Sequence, residues 1–255
     1  GAFTALIAAS VLTLLGFNGF SLLCLAGLIA VIYSAAYGYT IEKIAYKPLR
    51  QAPRLSPLIS AIGMSIFLQN YVLLAQTSDF LSFPALIPET PWLERFARFM
   101  QPSEIIICLT TAVIMILLTL FIKFTRIGMA MRATSQDKTM ALLLGVNVDR
   151  VVSVTFIIGS ALAAVGGVLI SSHIGQINFY IGFIAGIKAF TAAVLGGIGS
   201  IPGAVLGGLL IGLIETFWSA YFSIDYKDVA AFSILAIVLI FMPQGLLGKP
   251  EVEKV

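Results

Sequence analysis

Hydrophobic residues along this chain are grouped into eight apolar segments separated by polar stretches. The segments lie near residues 2–17, 20–40, 57–75, 104–122, 151–171, 181–198, 203–222 and 229–242. Most approach the roughly 20 residues that an α-helix needs to cross a hydrocarbon core. Because lipid cannot satisfy backbone polar groups, the pattern predicts membrane-spanning helices. The first and sixth segments are short, so a complete crossing and a broken or re-entrant helix both stay open there.

The polar stretch 123–150, between the fourth and fifth segments, carries a predicted helix of its own. Thr134 and Asp137 have the spacing of a capping box, in which a hydroxyl accepts from free amides at a helix start. The apolar run that follows continues to Leu144, and Gly145 supplies the left-handed residue that often ends a helix. Asp149 is then predicted to cap the next apolar segment.

Two uses are open for this short helix at 135–144. It can rest on the bilayer surface with its leucines in the headgroup region, which is the use that the pattern alone favours. It can also insert into a groove on a cytosolic partner, as amphipathic helices do.

Composition supports a membrane protein. Of the 255 residues, 59% are hydrophobic and only 11% are charged, against about a quarter charged in soluble domains. The longest polar stretches, 76–102 and 123–150, are too short for a soluble domain. We therefore predict an all-α, polytopic integral membrane helical bundle forming a single domain over residues 1–255.

The basic residues predict the orientation of the bundle. If all eight segments cross the membrane, most lysines and arginines fall on one side, which the positive-inside rule identifies as cytoplasmic. The stretch 123–150 and the carboxyl terminus are then cytoplasmic, and Asp228 is among the acidic residues of the outer side. The cytoplasmic set is Lys43, Lys47, Arg50, Arg54, Lys123, Arg126, Arg132, Lys138, Arg150, Lys249 and Lys254. The net charge of +3 is thus explained by topology and does not indicate nucleic acid binding.

Glycine is concentrated between residues 182 and 212. No GxxxxGK[ST] motif occurs, and the dinucleotide pattern lacks its third glycine, so these glycines do not predict a nucleotide site. Small residues four apart allow membrane helices to pack closely. This spacing occurs in the pairs Gly182 and Gly186, and Gly203 and Gly207, and in the triplets Ala204, Gly208 and Gly212, and Gly159, Ala163 and Gly167. The run Gly196, Gly197 and Gly199 before Pro202 predicts a helix break, with either a packing role or a path-lining role.

A few polar side chains lie inside apolar segments. Lys188 and Glu215 are ionisable groups at a depth where insertion costs a few kcal/mol, so they are expected to pair with each other or with backbone, or to face a substrate path. Gln69 and Asn70 are weaker candidates for the same path. His173 has no metal-ligand spacing around it, and no catalytic cluster of nucleophile, base and orienting group is visible.

Three stretches together resemble one known family. They look like the H-type permease subunits of ATP-driven importers for branched-chain amino acids. The stretches are residues 132–150 (RATSQDKTMALLLGVNVDR), 60–71 (SAIGMSIFLQNY) and 180–204 (YIGFIAGIKAFTAAVLGGIGSIPGA), and the tail 250–255 (PEVEKV) resembles the same subunits. The resemblance covers essentially the whole chain. Family members begin with a further apolar segment, and residues 1–4 look like the end of its motif, so we expect a fragment that lacks its beginning.

The resemblance implies a multi-pass protein of the cell inner membrane that moves leucine, isoleucine or valine by alternating access. It implies three kinds of protein partner besides lipid: a homologous second permease, two cytosolic ATPase subunits that bind the ATP, and a periplasmic amino-acid-binding protein. It implies no cofactor or catalytic residue in this chain. The stretch 123–150 would be the coupling loop, and its coupling helix would comprise Ser135, Gln136, Asp137, Lys138, Met140, Ala141, Leu142, Leu143 and the closing Gly145.

Other functions remain open at this point. Permeases for urea or short amides resemble the family in the same loop. An ATP-independent channel or an ion-coupled carrier would use Lys188, Glu215 and the helix break. A scaffold subunit that does not transport would use none of these features.

Overall fold

The computed structural model describes residues 1–17, 19–50, 53, 56–76, 79–84, 101–242 and 244–248. All eight apolar segments form α-helices, which confirms the all-α prediction. The stretch 123–150 adds two more. In chain order the helices are α1 (Ala2–Leu14), α2 (Phe20–Ile41), α3 (Ser56–Ala75), α4 (Pro102–Phe124), α5 (Arg126–Gln136), α6 (Lys138–Leu143), α7 (Val148–Ile174), α8 (Ile181–Gly196), α9 (Ile201–Tyr221) and α10 (Lys227–Phe241).

Four helices of the described chain are long and apolar enough to cross a membrane, namely Ser21–Leu49, Ser103–Phe124, Val148–Ile174 and Ile201–Tyr221. The first of these continues beyond α2 through a π-helical turn, Glu42–Tyr46, and a 3-10 turn, Lys47–Leu49. Helices α1 and α8 have 13 and 16 residues. At 1.5 Å per residue they reach only about 20 and 24 Å. Both are therefore short for a crossing, as their sequences predicted.

The described residues form two compact units, Gly1–Phe179 and Tyr180–Val255. In the first unit, α1, α2 and α7 meet in a core built largely from alanine. Ala5, Ala9, Ala26 and Ala30 are fully buried there. Small side chains allow the helix backbones to approach closely, as in other membrane bundles. A two-stranded antiparallel ribbon, β1 (Leu81–Ser82) with β2 (Gln176–Ile177), completes this unit, and Ile177 joins the core.

The packed face of α7 differs from the predicted one. Gly167 lies against another helix, at Ala2, but the position of Gly159 opens to free space and Ala163 is exposed. The buried face instead carries Ala164 and includes Ser160, which packs against a glycine of α2. Small residues four apart occur on two adjacent faces of α7, so the spacing by itself could not identify the one that packs.

In the second unit, α8 and α9 form a tightly packed antiparallel pair. A Cβ added at Gly207 would overlap the carbonyl of Ala192, and one added at Gly203 would overlap the carbonyl of Gly196. The predicted packing role of Gly203 and Gly207 is therefore confirmed. The core beside them contains Ala192, Leu195, Ile211 and Ala231.

The other small-residue predictions for this unit are only partly correct. The prediction for Gly182 and Gly186 is wrong within the described chain, because a Cβ at either position would meet nothing within 4 Å. Gly208 lies at ordinary contact distance from Ala192, and Gly212 faces open space. The close backbone approach of α8 and α9 is seen at Gly203 and Gly207, next to the turn that joins the two helices.

Candidate functional site

The stretch 123–150 contains two helices where one was predicted. Thr125 caps α5, with its hydroxyl accepting from the Gly128 amide at 3.0 Å. Thr134 lies within α5, and its hydroxyl donates to the Ala130 carbonyl, so the predicted capping box is wrong. Asp137 is the actual N-cap of α6, with Oδ1 accepting from the amides of Thr139 and Met140 at 2.9 and 3.1 Å. The chain turns at Asp137, and its carboxylate rather than the Thr134 hydroxyl faces the free amides.

Helix α6 exposes its apolar side chains. Met140, Leu142 and Leu143 are 56%, 59% and 78% exposed, whereas Ala141 between them is 2% exposed. Ala141 therefore faces the rest of its own chain, and the larger residues face outward. The predicted end of the helix is confirmed, because Gly145 has a φ of 81°. The remaining predicted coupling residues, Ser135, Gln136, Lys138 and Gly145, are also exposed, and Asp137 is half-buried.

The start of α7 is capped by Asn147 rather than by Asp149. The Asn147 side-chain oxygen accepts from the Arg150 amide at 3.0 Å. Asp149 lies in the first helical turn, where a carboxylate is favourable near the positive end of the helix dipole. Its side chain is free to contact another element.

That contact belongs to an ionic network which the sequence analysis did not identify. Arg50 donates to both Asp149 and Glu42, the second of which is only 1% exposed. The Ser153 hydroxyl of α7 also donates to Glu42, at 2.7 Å, and Lys47 lies 3.7 Å from Asp149. The network joins the turns that follow α2 to the beginning of α7. The one available signal was a glutamate, Glu42, directly after a long apolar run.

Lys188 and Glu215 are brought together, which is one of the arrangements that the sequence left open. Lys188 Nζ lies 2.8 Å from Glu215 Oε2 and 2.9 Å from Asp228 Oδ1. The second contact is an ion pair without hydrogen-bond alignment. Asp228, at the start of α10, was missed as a partner because the residues are 40 positions apart along the chain. One lysine thus links α8, α9 and α10.

The predicted helix break at Gly196 to Pro202 is confirmed. Helix α8 ends at Gly196, and the turn that follows uses positive φ angles at Gly197 and Gly199, 103° and 92°. Ser200 caps α9, accepting from the Gly203 amide. Segment 244–248 packs on this turn, with the amides of residues 246 and 247 donating to the carbonyls of residues 195 and 196, both at 2.9 Å. Gly196 and Gly197 are therefore close-packed in this turn, whereas the position of Gly199 opens to free space, and the path-lining role of the three glycines stays a prediction.

The weaker candidates make local contacts. On α3, the Gln69 side chain lies 3.5 Å from the Ser65 hydroxyl, and Asn70 donates to the backbone of its own helix. His173 Nδ1 lies 3.2 Å from the Ser103 hydroxyl. Among the described residues there is no group of three or more His, Cys, Asp or Glu side chains that could hold a metal ion. Arg54, Lys249, Lys254 and the tail 250–255 lie outside the described residues.

Comparison with known proteins gives one consistent result. The family profile described as branched-chain amino acid transport system, permease component, matches residues 1–242. The chain is 50% identical over 260 residues to the high-affinity branched-chain amino acid transport system permease protein LivH of Salmonella typhimurium, covering 100% of this chain and 84% of the relative. It is 51% identical over 262 residues to the corresponding protein BraD of Pseudomonas aeruginosa, with the same coverage. The LivH protein of Escherichia coli K12 is 49% identical over 260 residues, again with the same coverage. No solved structure matches the chain.

Proposed function

We propose the function of this chain from one premise: it belongs to the family of branched-chain amino acid transport system permease components. The observation that carries the conclusion is about 50% identity over the entire chain to relatives named as high-affinity permeases of such systems. The chain is a multi-pass membrane permease of an ATP-driven importer for branched-chain amino acids. The relatives favour these substrates over urea or short amides.

The complete importer in this proposal has parts that the chain does not contain. A homologous second permease completes the path, two cytosolic ATPase subunits supply the energy, and a periplasmic binding protein delivers the amino acid. The chain lies in the inner membrane with its carboxyl terminus in the cytoplasm. The distribution of lysine and arginine supports this orientation, because cytoplasmic loops are enriched in both residues.

Helix α6 is the proposed contact with an ATPase subunit. Its exposed Met140, Leu142 and Leu143 form the apolar face that an amphipathic helix inserts into a groove. Asp137 and Gly145 fix the two ends of the helix, so it presents this face as a rigid element. Ala141, on the opposite face, positions α6 against its own chain rather than contacting the partner.

Force from the ATPase then reaches the membrane helices through short connections. Only four residues separate α6 from α7, and Asp149 in the first turn of α7 is held by Arg50. Arg50 also holds Glu42, directly after α2. A displacement of α6 therefore moves α7 and α2 together. Nucleotide binding shifts the equilibrium between inward-open and outward-open states only by its difference in affinity for them.

ATP-driven uptake tests the proposed function. Proteoliposomes that contain the chain with its second permease, ATPase and binding protein should accumulate labelled leucine only when ATP is present on the side of the membrane that carries the ATPase subunits. Unlabelled isoleucine and valine should compete, and urea should not. Uptake that is independent of ATP would favour a channel or an ion-coupled carrier, and competition by urea would favour the amide permease.

A charge at Leu142 tests the docking role of α6. Leu142→Asp should lower leucine uptake strongly while the permease still inserts and the ATPase still hydrolyses ATP, because a carboxylate in an apolar groove is poorly solvated. Leu142→Met preserves an apolar side chain and is the matched control. Equal uptake by the two variants would rule out docking through this face. Ala141 is unsuitable for this test because added bulk there would disturb its own chain.

A further inference from the structure

The ionic cluster of the second unit has one positive and two negative side chains. Lys188 contacts Glu215 and Asp228, and the side chains of Lys188 and Glu215 are only 30% and 17% exposed. With all three groups ionised, the formal charge of the cluster is −1. Ionisable groups within membrane helices are costly and generally mark functional paths. The cluster therefore favours a further cation over a further anion.

A cavity of about 230 Å³ opens beside this cluster. Lys188 and Glu215 form its charged end, and small residues, including Ala189, Gly208 and Gly212, form an uncharged wall. A Cβ at Gly212 would meet nothing within 4 Å. Gly203 and Gly207 bring α8 and α9 into contact. Gly208 and Gly212 instead leave space beside the Lys188–Glu215 pair, because they have no side chains to fill it.

One atom of the charged end has no protein partner. Glu215 Oε2 contacts Lys188, but Glu215 Oε1 is buried and accepts no hydrogen bond from the described residues. A buried carboxylate oxygen without a donor is unfavourable, so an incoming donor stabilises it. A primary ammonium carries three N–H donors and a positive charge. Hard metal cations need six or more oxygen ligands, which two carboxylates beside a lysine do not supply.

We propose that this cavity is a transit subsite for the charged backbone of the amino acid, a proposal that rests on the importer function given above. Glu215 binds the α-ammonium, Lys188 binds the α-carboxylate, and the aliphatic side chain lies along Ala189, Gly208 and Gly212. Asp228 keeps a second carboxylate next to Lys188 and offsets its charge. The subsite forms when the Lys188–Glu215 pair opens around the ligand.

Exchange of the internal pair for the charges of the ligand explains how this partly buried ion pair can open. Removing one partner from such a pair leaves an uncompensated charge, which is unfavourable. A zwitterion supplies an opposite charge to both Lys188 and Glu215 at once, so neither group is left alone. Urea has no net charges to exchange and leaves the pair closed. The cluster thus selects amino acids over neutral amides.

Protection of an introduced thiol tests the subsite directly. Cys24 and Cys108 are first replaced by serine in the complete importer, and Gly212→Cys then places a reporter on the cavity wall. A small thiol reagent is applied in the absence of nucleotide throughout. The ligands compared are leucine, 4-methylpentanoate, which lacks the ammonium, and isopentylamine, which lacks the carboxylate. Phe190→Cys, an exposed position that does not line the cavity, is the matched control.

Leucine should slow labelling at Gly212→Cys about twofold at the concentration that fills half of the sites. At that concentration 4-methylpentanoate should not protect, isopentylamine should protect less than leucine because it cannot bind Lys188, and Phe190→Cys should react equally in every condition. Glu215→Gln should abolish protection by leucine while leaving the reporter reactive. The analogue comparison needs only the reporter variant, so it decides the question even if Glu215→Gln does not assemble.

Three results would overturn the subsite: no protection by leucine, equal protection by 4-methylpentanoate, or protection that persists in Glu215→Gln. Each would identify the cluster as a static bridge between α8, α9 and α10. The assay uses no ATP, so these results leave the proposed importer function intact. Loss of ATP-dependent uptake in the parent importer would instead refute that function.

Discussion

Replacing Arg50 by methionine should destabilise the first unit, because it leaves Glu42 as a buried carboxylate with little support. The Glu42 side chain is 1% exposed, and its only other contact among the hydrogen bonds described is the Ser153 hydroxyl. Arg50 itself is 24% exposed. Methionine approximates the arginine stem in length, so the substitution removes the charge and the donors while retaining much of the apolar contact.

The loss of stability in Arg50→Met can be estimated from the burial of the two charged side chains. Removing one partner of a buried ion pair costs about 3 to 5 kcal/mol. Because Arg50 is partly exposed, water reaches the site and the lower end, about 3 kcal/mol, applies. The second contact of Arg50, to Asp149, involves a carboxylate that is 58% exposed, and such pairs contribute at most about 1 kcal/mol. A loss near 3 kcal/mol lowers the thermal midpoint of a domain of this size by on the order of 10 °C.

The assay is heat-induced unfolding of the purified importer in detergent, with two comparison variants. Lys47→Met removes a 3.7 Å contact between exposed groups and should cost less than about 1 kcal/mol. Glu42→Leu combined with Arg50→Met removes both charges of this pair and should recover most of the lost stability. Equal midpoints for Arg50→Met and Lys47→Met, or a double variant less stable than Arg50→Met alone, would refute the reasoning.

The remaining predictions concern the close-packed glycines and the helix caps. Gly207→Val forces α8 and α9 apart at the Ala192 carbonyl and should cost about 2 kcal/mol, seen as a lower folded yield by size-exclusion chromatography; Gly182→Val, in open space, should not. Asp137→Ala should destabilise α6 by about 1 kcal/mol and speed the hydrogen exchange of the α6 backbone amides. An unchanged exchange rate would contradict the capping role. Gly245→Ala should expose the backbone amides of segment 244–248 to hydrogen exchange. The φ of Gly245, 75°, and its contact with the turn after α8 both exclude a side chain there.

Local chemistry made several features predictable. Apolar length alone located all eight segments, and the glycine at residue 145 ended its helix as expected. The pairing of Lys188 with Glu215 was also one of the expected arrangements, since two intramembrane charges of opposite sign have few other partners. Each of these inferences needed only the neighbouring sequence or a simple charge balance.

Two of the missed features depend on residues far apart in the chain, and one depends on a local turn. Glu42 and Ser153 are 111 positions apart, and no local pattern indicates that α2 and α7 are neighbours. The cap of α6 was assigned to Thr134 because both Thr134 and Asp137 are good capping residues, and only the chain direction after α5 distinguishes them. The packed face of α7 could be predicted only with knowledge of where α2 lies. Tertiary contacts decided the ionic network and the packed face of α7, and the local turn between α5 and α6 decided the cap.

Docking of α6 on an ATPase subunit is the central claim, and a thiol at Met140 tests it most directly. With Cys24 and Cys108 replaced by serine, Met140→Cys should react with a membrane-impermeant reagent only from the cytoplasmic side. It should also form a disulfide with a cysteine placed in the groove of the ATPase subunit, and this cross-link should stop leucine uptake until it is reduced. The account would be contradicted by reaction of Met140→Cys from the outer side, by the absence of the cross-link under oxidising conditions, or by uptake that continues after the cross-link has formed.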